Sequence, residues 1–129
     1  MSKSNLKSIN GYIEGYYGKL LSWKDRERVL NRLHNYGMNY YLYAPKEDEF
    51  HRAKWRFSYS RSWEKQFQNF CKIAKSKNIR VLFGISPALD FNFNKIITIK
   101  QNIDFKILLE KCSLALKLGA YSIVLQYDD

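Results

Sequence analysis

Cysteine is scarce in this chain: two residues among 129, both inside helical patterns and far from any CxxC spacing. So few cysteines exclude a disulfide framework and a cysteine-based zinc site, because each needs several cysteines at short, regular spacings. We interpret Cys71 and Cys112 as reduced thiols in or near a core. His34 and His51 have no partner at metal-ligand spacing, so no metal site is predicted.

Long apolar runs are absent as well. No run approaches the length that crosses a membrane, and the first five residues lack the apolar region of a signal peptide. We therefore expect a cytoplasmic protein with no membrane partner.

Acidic residues are few, with 12 Asp and Glu against 22 Lys and Arg and a net charge of +10. Such a charge raises the question of nucleic-acid binding. The basic residues are spread over every segment without a dense run, so a solvated helical surface is the favoured interpretation and no nucleic-acid partner is predicted.

The chain is rich in aromatic residues (16%) and in hydrophobic residues overall (46%), which predicts a folded domain rather than disorder. At 129 residues it can form one domain at most, and it is short of a complete α/β barrel.

Strand and helix patterns alternate along the chain. Four short runs predict strands, namely residues 11–15, 38–44, 79–85 and 121–126. The helical patterns between them end at Gly37, Asn78 and Gly119, each 41 residues apart, and Ser22 and Ser62 are the expected N-caps of the first two. This alternation predicts right-handed crossovers and a parallel sheet, either half of an eight-stranded TIM barrel or a small doubly wound domain.

Polar residues follow the predicted strands, and the carboxyl ends of parallel strands meet at one edge of a sheet. That edge would carry the glycine-rich turn Gly15–Gly18, then Lys46, residues 86–90 and the pair Asp128-Asp129. Two carboxylates and a lysine beside exposed backbone suit a small polar ligand such as a sugar. From spacing alone, a solvated Asp-Asp tail and a surface lysine are the stronger interpretations.

The loop from Lys46 to Tyr59 is longer than an ordinary βα connection, and long loops in compact domains are often functional. Trp55 in this loop and Trp63 in the following helix could stack on a sugar. Trp63 falls on the apolar stripe of its helix and is expected in the core.

Several stretches carry a resemblance to a known family. They are Gly11-Tyr-Ile-Glu-Gly-Tyr-Tyr-Gly18 with Ser22-Trp23, Tyr36-Gly-Met-Asn39, Tyr43-Ala-Pro-Lys-Glu-Asp48 with His51-Arg52 and Trp55-Arg56, Phe83-Gly-Ile-Ser-Pro87, and Tyr127-Asp-Asp129. In this order and spacing they resemble the glycoside hydrolases of family 84, the O-GlcNAcases and related bacterial β-N-acetylglucosaminidases.

The resemblance implies a TIM-barrel catalytic domain that removes β-linked N-acetylglucosamine from serine or threonine by substrate-assisted catalysis through an oxazoline. It implies that Asp128 orients the substrate acetamide and that Asp129 is the general acid and then the general base. Gly15, Tyr17 and Lys46 would bind the sugar. The resemblance implies no metal or organic cofactor, and a glycoconjugate bearing N-acetylglucosamine as the partner.

The resemblance covers the first four βα units of a family that has eight. We therefore expect an N-terminal tail over residues 1–9 and a partial catalytic domain over 10–129, truncated after the fourth strand. Weak or absent activity is expected unless copies self-associate or a complementing C-terminal half is present. The alternatives, in order, are a non-catalytic sugar-binding or assembly module and a basic nucleic-acid-binding α/β domain.

Overall fold

A computed structural model describes residues 8–93 and 102–127, in which strands and helices strictly alternate. The strands are β1 (Gly11–Glu14), β2 (Tyr40–Tyr43), β3 (Arg80–Ile85) and β4 (Ser122–Leu125). The helices are α1 (Trp23–Asn35), α2 (Arg61–Ser76) and α3 (Ile103–Leu118). Every predicted strand and helix is confirmed, although each strand is one to three residues shorter than its sequence pattern.

The helix ends follow local chemistry, with one correction. The Ser22 hydroxyl accepts a hydrogen bond from the Asp25 backbone N–H at 3.0 Å, which confirms the first N-cap. The second N-cap is Ser60 rather than Ser62. Ser60 has the extended backbone of a cap and accepts from the Trp63 N–H at 3.1 Å, which leaves Ser62 inside the first turn. Asn78 ends the helix region in the left-handed conformation, with φ of 57°, as predicted.

All strands of the sheet are parallel, and their order, β1-β2-β3-β4, follows the sequence. The three helices contact one another in sequence and pack into a single core on one face of the sheet. These features are those of the N-terminal half of a TIM barrel. They exclude the doubly wound alternative, in which the strand order reverses and helices lie on both faces.

One face of the sheet, which we call the covered face, packs against the helices. Its side chains are Tyr41, Tyr43, Val81, Phe83 and Ile85, all buried. Aromatic rings from α1 and α2 complete the layer, namely Trp23, Phe67 and Phe70. Cys71 and Cys112 are free thiols of this helical layer, as expected, and burial raises the pKa of Cys71 to about 12.

The opposite face, which we call the open face, is apolar but carries no helix. It presents Ile13, Leu42, Leu82 and Val124 on neighbouring strands, and Ile13 is 64% exposed. In a complete barrel this face lines the interior, where side chains from all strands fill the core.

Over the described ranges, none of the helices has both the length and the apolar character needed to cross a bilayer.

Candidate active site

The candidate site is the edge of the sheet at which the strands end. The backbone ladder continues past two of the strand pairs: the Ala44 N–H donates to the Glu14 carbonyl, and the Gln126 N–H donates to the Ile85 carbonyl, each at 2.9 Å. The segments that follow the strands therefore leave from a common edge, as the topology predicts. Asp128 and Asp129, the predicted catalytic pair, lie outside the described residues.

The predicted sugar-binding residues belong to the first two of these segments. Gly15 directly follows β1, and a Cβ built on it would lie 3.8 Å from the Ala44 carbonyl oxygen at the end of β2. Lys46 follows two residues later and is half-buried. Tyr17 is 56% exposed on the turn after Gly15. Gly15 and Lys46 thus lie at neighbouring strand ends, with Tyr17 on the turn beside them.

Lys46 is carried by the β2–α2 loop, residues 44–60, whose base is held by Asp48. This buried carboxylate accepts hydrogen bonds through Oδ2 from the hydroxyls of Tyr43 at 2.6 Å and Tyr59 at 2.7 Å. Its Oδ1 accepts from the Phe50 N–H at 2.9 Å. Burial, together with the Asp48 charge, raises the pKa of both tyrosines, so they stay protonated and keep donating.

The middle of the loop is tied to α3 by Lys111. Its ammonium donates to the carbonyl oxygens of Phe50, Trp55 and Phe57, the latter two at 2.8 Å. The Tyr59 ring lies 4.7 Å from the same nitrogen. Burial lowers the pKa of Lys111 to about 8, and the charge of Asp48 opposes that shift because it favours the charged form of the lysine.

Two further side chains connect this loop to β3 and its following segment. His51 is fully buried with Nδ1 2.6 Å from the Gly84 carbonyl oxygen, and its own carbonyl accepts from the Ser86 N–H. Trp55 is also fully buried, and its indole N–H donates to Asp90 at 2.8 Å. A sugar-stacking role for Trp55 is therefore wrong, because neither face of its ring is accessible.

Arg56 reinforces the same connection. It donates to both oxygens of Asp104 at 2.7 and 2.8 Å, and to Asp90 through a carboxylate oxygen at 2.7 Å and the carbonyl. The guanidinium holds the pKa of Asp104 below its usual value. Arg56 thereby fixes the β2–α2 loop to the start of α3.

A buried ion pair holds the end of β1. Glu14 directly precedes Gly15 and accepts from Arg26 through both oxygens at 2.9 Å, while the Tyr41 hydroxyl donates to Oε1 at 2.6 Å. The guanidinium lies 4.4 Å from the Trp23 ring and 5.0 Å from the Tyr43 ring. Burial, the largest single influence, lowers the pKa of Arg26, but the Glu14 hydrogen bonds and the charge interactions with Glu14, Tyr41 and Tyr43 together raise it above its usual value.

Comparison with known proteins identifies the family. The family model described as beta-N-acetylglucosaminidase matches residues 10–129. The chain belongs to that family. It is also 32% identical over 122 residues to the protein O-GlcNAcases of Rattus norvegicus and Mus musculus, which covers 92% of this chain and 12% of each relative.

Solved structures place this chain within glycoside hydrolase family 84, as the sequence motifs indicated. It superposes with a TM-score of 0.85 and 30% identity on a mutant O-GlcNAc hydrolase of Thermobaculum terrenum, covering 94% of this chain and 25% of that one. It superposes equally well, at 33% identity, on the structure of CpGH84B, covering 94% of this chain and 21% of that one. The chain thus spans between an eighth and a quarter of the relatives it matches.

Three polar residues of the chain were missed by reading the sequence: Glu14, Asp48 and Lys111. Lys111 had a signal, because it lies three residues after Leu108 and four before Ala115, which are both buried on the inner face of α3. Glu14 shares the strand parity of Tyr12, so it too falls on the covered face. Nothing marks Asp48 among the charged residues around it.

The part of the chain that the structure describes contains no group of three or more His, Cys, Asp or Glu residues placed to hold a metal ion.

Proposed function

We propose that residues 10–129 form the first part of a glycoside hydrolase catalytic domain that removes β-linked N-acetylglucosamine from a glycoconjugate. The observation that carries this proposal is the joint placement of Gly15 and Lys46 at one strand edge of a chain that belongs to this family. The relatives are named for O-GlcNAc removal, which supports a glycoconjugate bearing N-acetylglucosamine as the substrate class.

The proposed mechanism is substrate-assisted. Asp128 accepts a hydrogen bond from the acetamide N–H, and the acetamide oxygen attacks the anomeric carbon to form an oxazoline. Asp129 protonates the departing glycosidic oxygen, and as a carboxylate it then takes a proton from the water that opens the oxazoline. The Gly15 carbonyl and the Lys46 ammonium hold sugar hydroxyls, and Tyr17 lines the pocket. These steps use neither a metal nor an organic cofactor.

A second part of the proposal is that further βα units, beyond those that the structure describes, complete the site. The apolar open face and the unpaired edges of β1 and β4 support this, because both need covering in a barrel. A partner that supplied them would be a complementing C-terminal half or a second copy of the chain. The net charge of +10 opposes pairing of identical copies, so the complementing half is favoured. Alone, the chain would have weak or no activity.

The proposed compartment is the cytoplasm. Two free thiols in a folded domain support it, because a reducing compartment keeps such residues from forming disulfides.

The test is release of a chromogenic aglycone from a β-N-acetylglucosaminide by the purified chain, alone and mixed with the C-terminal half of a family 84 barrel. We expect little turnover alone and a clear gain on mixing. Asp129→Asn should remove the gain, whereas Glu110→Gln, an exposed carboxylate on α3, should keep it.

The other outcomes assign the alternatives. Saturable binding of N-acetylglucosamine without turnover in any mixture would indicate a sugar-binding module. Binding of nucleic acid that weakens steeply with salt and ignores the sugar would indicate a basic nucleic-acid-binding domain.

A further inference from the structure

The β2–α2 loop poses a physical problem. It runs from Ala44 to Ser60 without helix or strand, yet it carries Lys46 and passes through the interior at His51 and Trp55. Buried backbone carbonyls outside regular structure need hydrogen-bond donors from elsewhere. The donors at this loop therefore decide whether it has one conformation or many.

One side chain supplies donors to three of these carbonyls. Lys111 is only 8% exposed, and its ammonium donates to the backbone oxygens of Phe50, Trp55 and Phe57. An ammonium group has three N–H donors and no acceptor, so this set uses its full capacity. The acceptors lie 54 to 61 residues away in sequence, which makes the contact a tie between α3 and the loop.

The other side chains that hold this loop, those of Asp48 and Arg56, make different contacts. Asp48 connects Tyr43 and Tyr59, which lie where the loop leaves β2 and approaches α2. Arg56 connects the outer side of the loop to Asp104. Asp48 contacts the main chain of residues 50–57 only at the Phe50 N–H, whereas Lys111 binds it at three points, so Lys111 fixes the path of the backbone itself.

We propose that Lys111 is a positioning residue whose ammonium fixes the β2–α2 loop and so holds Lys46 at the strand edge. The role of Lys46 rests on the function proposed above, but the fixing of the loop does not. Lysine suits the task because its compact ammonium can direct three donors to converging oxygens, whereas the planar guanidinium of arginine cannot. An apolar residue would leave three carbonyls without their donor.

The space around Lys111 allows a chemical-rescue experiment with a small amine. A cavity of about 310 Å³ adjoins its side chain and is lined by Arg56, Phe57, Ile107, Glu110 and Leu114, among others. In Lys111→Ala the missing atoms correspond to propylammonium, and the cavity gives a small amine access to the three carbonyls. The loop can therefore be restored by a ligand with N–H donors, which separates hydrogen bonding from simple space filling.

The measurement is amide hydrogen exchange by NMR on the whole chain. In Lys111→Ala, the amides of the loop, among them Lys46, Lys54 and Phe57, should exchange at least about tenfold faster, while β2 and β3 amides change less than about twofold. Millimolar propylammonium should restore loop protection in a saturable way. Propyltrimethylammonium, which has the charge but no N–H, should not, and Lys117→Ala on the exposed side of α3 should leave the loop unchanged.

Several results would overturn the proposal: equal acceleration in loop and sheet, no change in the loop, or equal rescue by the trimethyl compound. If Lys111→Ala folds only with propylammonium, that result supports the proposal. If it does not fold even then, Lys111→Met tests loop exchange without the amine, because its side chain keeps the apolar stem and fills the same space; unchanged loop protection in Lys111→Met contradicts the proposal. None of these results depends on glycosidase activity, so a failed assay of turnover leaves this test intact.

Discussion

The two faces of the sheet differ in what they contact and in what they are made of. The covered face is dominated by aromatic residues such as Tyr41, Tyr43 and Phe83, which are all buried against the helices. The open face is aliphatic, and its Ile13 is 64% exposed. The covered face therefore supplies the stability of the chain by itself, whereas the open face gains its stabilisation only when another layer covers it.

The two faces also differ in their buried charged groups. The ion pair of Glu14 and Arg26, the carboxylate of Asp48 and the ammonium of Lys111 all belong to the helix side. On the open face the strand ends carry small residues, and Gly84 is so closely packed that a Cβ would meet both Ala44 and the Gln126 side chain at 2.8 Å. The strand ends of the candidate site are therefore held by buried charged groups on the helix side of the sheet, away from the edge at which a ligand would bind.

The largest effect should come from breaking the buried ion pair of the covered face. Arg26→Met leaves the Glu14 carboxylate buried without its partner, which should lower the free energy of unfolding by about 3–5 kcal/mol. Urea denaturation followed by tryptophan fluorescence measures the loss. Arg28→Met, which removes an exposed pair with Asp25, is the control and should cost below about 0.5 kcal/mol. Equal losses in the two variants would contradict the assignment.

A matched pair of isoleucine truncations compares the faces directly. Ile85→Ala on the covered face should lower the free energy of unfolding by about 3 kcal/mol, because it opens a cavity in the core. Ile13→Ala on the open face should cost less than about 1 kcal/mol in the chain alone, since that side chain is already mostly in water. Similar losses would show that the open face is covered in solution. Sedimentation would then show whether the chain associates with itself.

Asp48→Asn tests the base of the β2–α2 loop. The amide keeps the shape but loses the charge that strengthens the hydrogen bonds from Tyr43 and Tyr59, so we expect a loss of about 2 kcal/mol in unfolding free energy. Glu49→Gln, the exposed neighbour, is the control and should stay within about 0.5 kcal/mol of the parent chain. A loss no greater than that of the control would mean that the loop does not depend on Asp48.

The smallest effect concerns pH and Lys111. In the unfolded chain this lysine keeps its proton to near its usual pKa of 10.5, whereas in the folded chain burial lowers the pKa to about 8. Between these values the unfolded state binds more protons, so the unfolding free energy should rise with pH. Relative to Lys111→Met, the parent chain should gain about 1 kcal/mol between roughly pH 7 and pH 8.7. Parallel pH profiles of the two proteins would rule out this titration.

The sequence predicts the elements of the fold because their signals are local. The stops at Gly37, Asn78 and Gly119 depend on single backbone conformations with positive φ, and alternation of strand and helix then determines a parallel sheet. Ser60 and Ser62 could both cap α2, and only the extended backbone at Ser60 decides between them. Strand lengths were overestimated because pairing ends before the apolar pattern does.

The candidate site was less predictable because its partners are distant in sequence. The burial of Trp55 depends on Asp90, which lies 35 residues later, and Lys111 binds carbonyls more than 50 residues before it. The sequence around such a side chain does not indicate which distant residues it contacts. The catalytic assignment of Asp128 and Asp129 and the binding roles of Gly15, Tyr17 and Lys46 come from family resemblance, and they remain predictions.

The order of the sheet also bears on how the chain is made. Each strand pairs with the strand before it, and the bond between Glu14 and Arg26 closes within the first βα unit. A ribosome that delivers the chain from its N-terminus therefore presents every new unit with a finished docking surface, because each of β2, β3 and β4 pairs with a strand that has already been made. Throughout synthesis the open face is the apolar surface within reach of chaperones. In the barrel proposed above, its coverage would follow the pairing of these four strands.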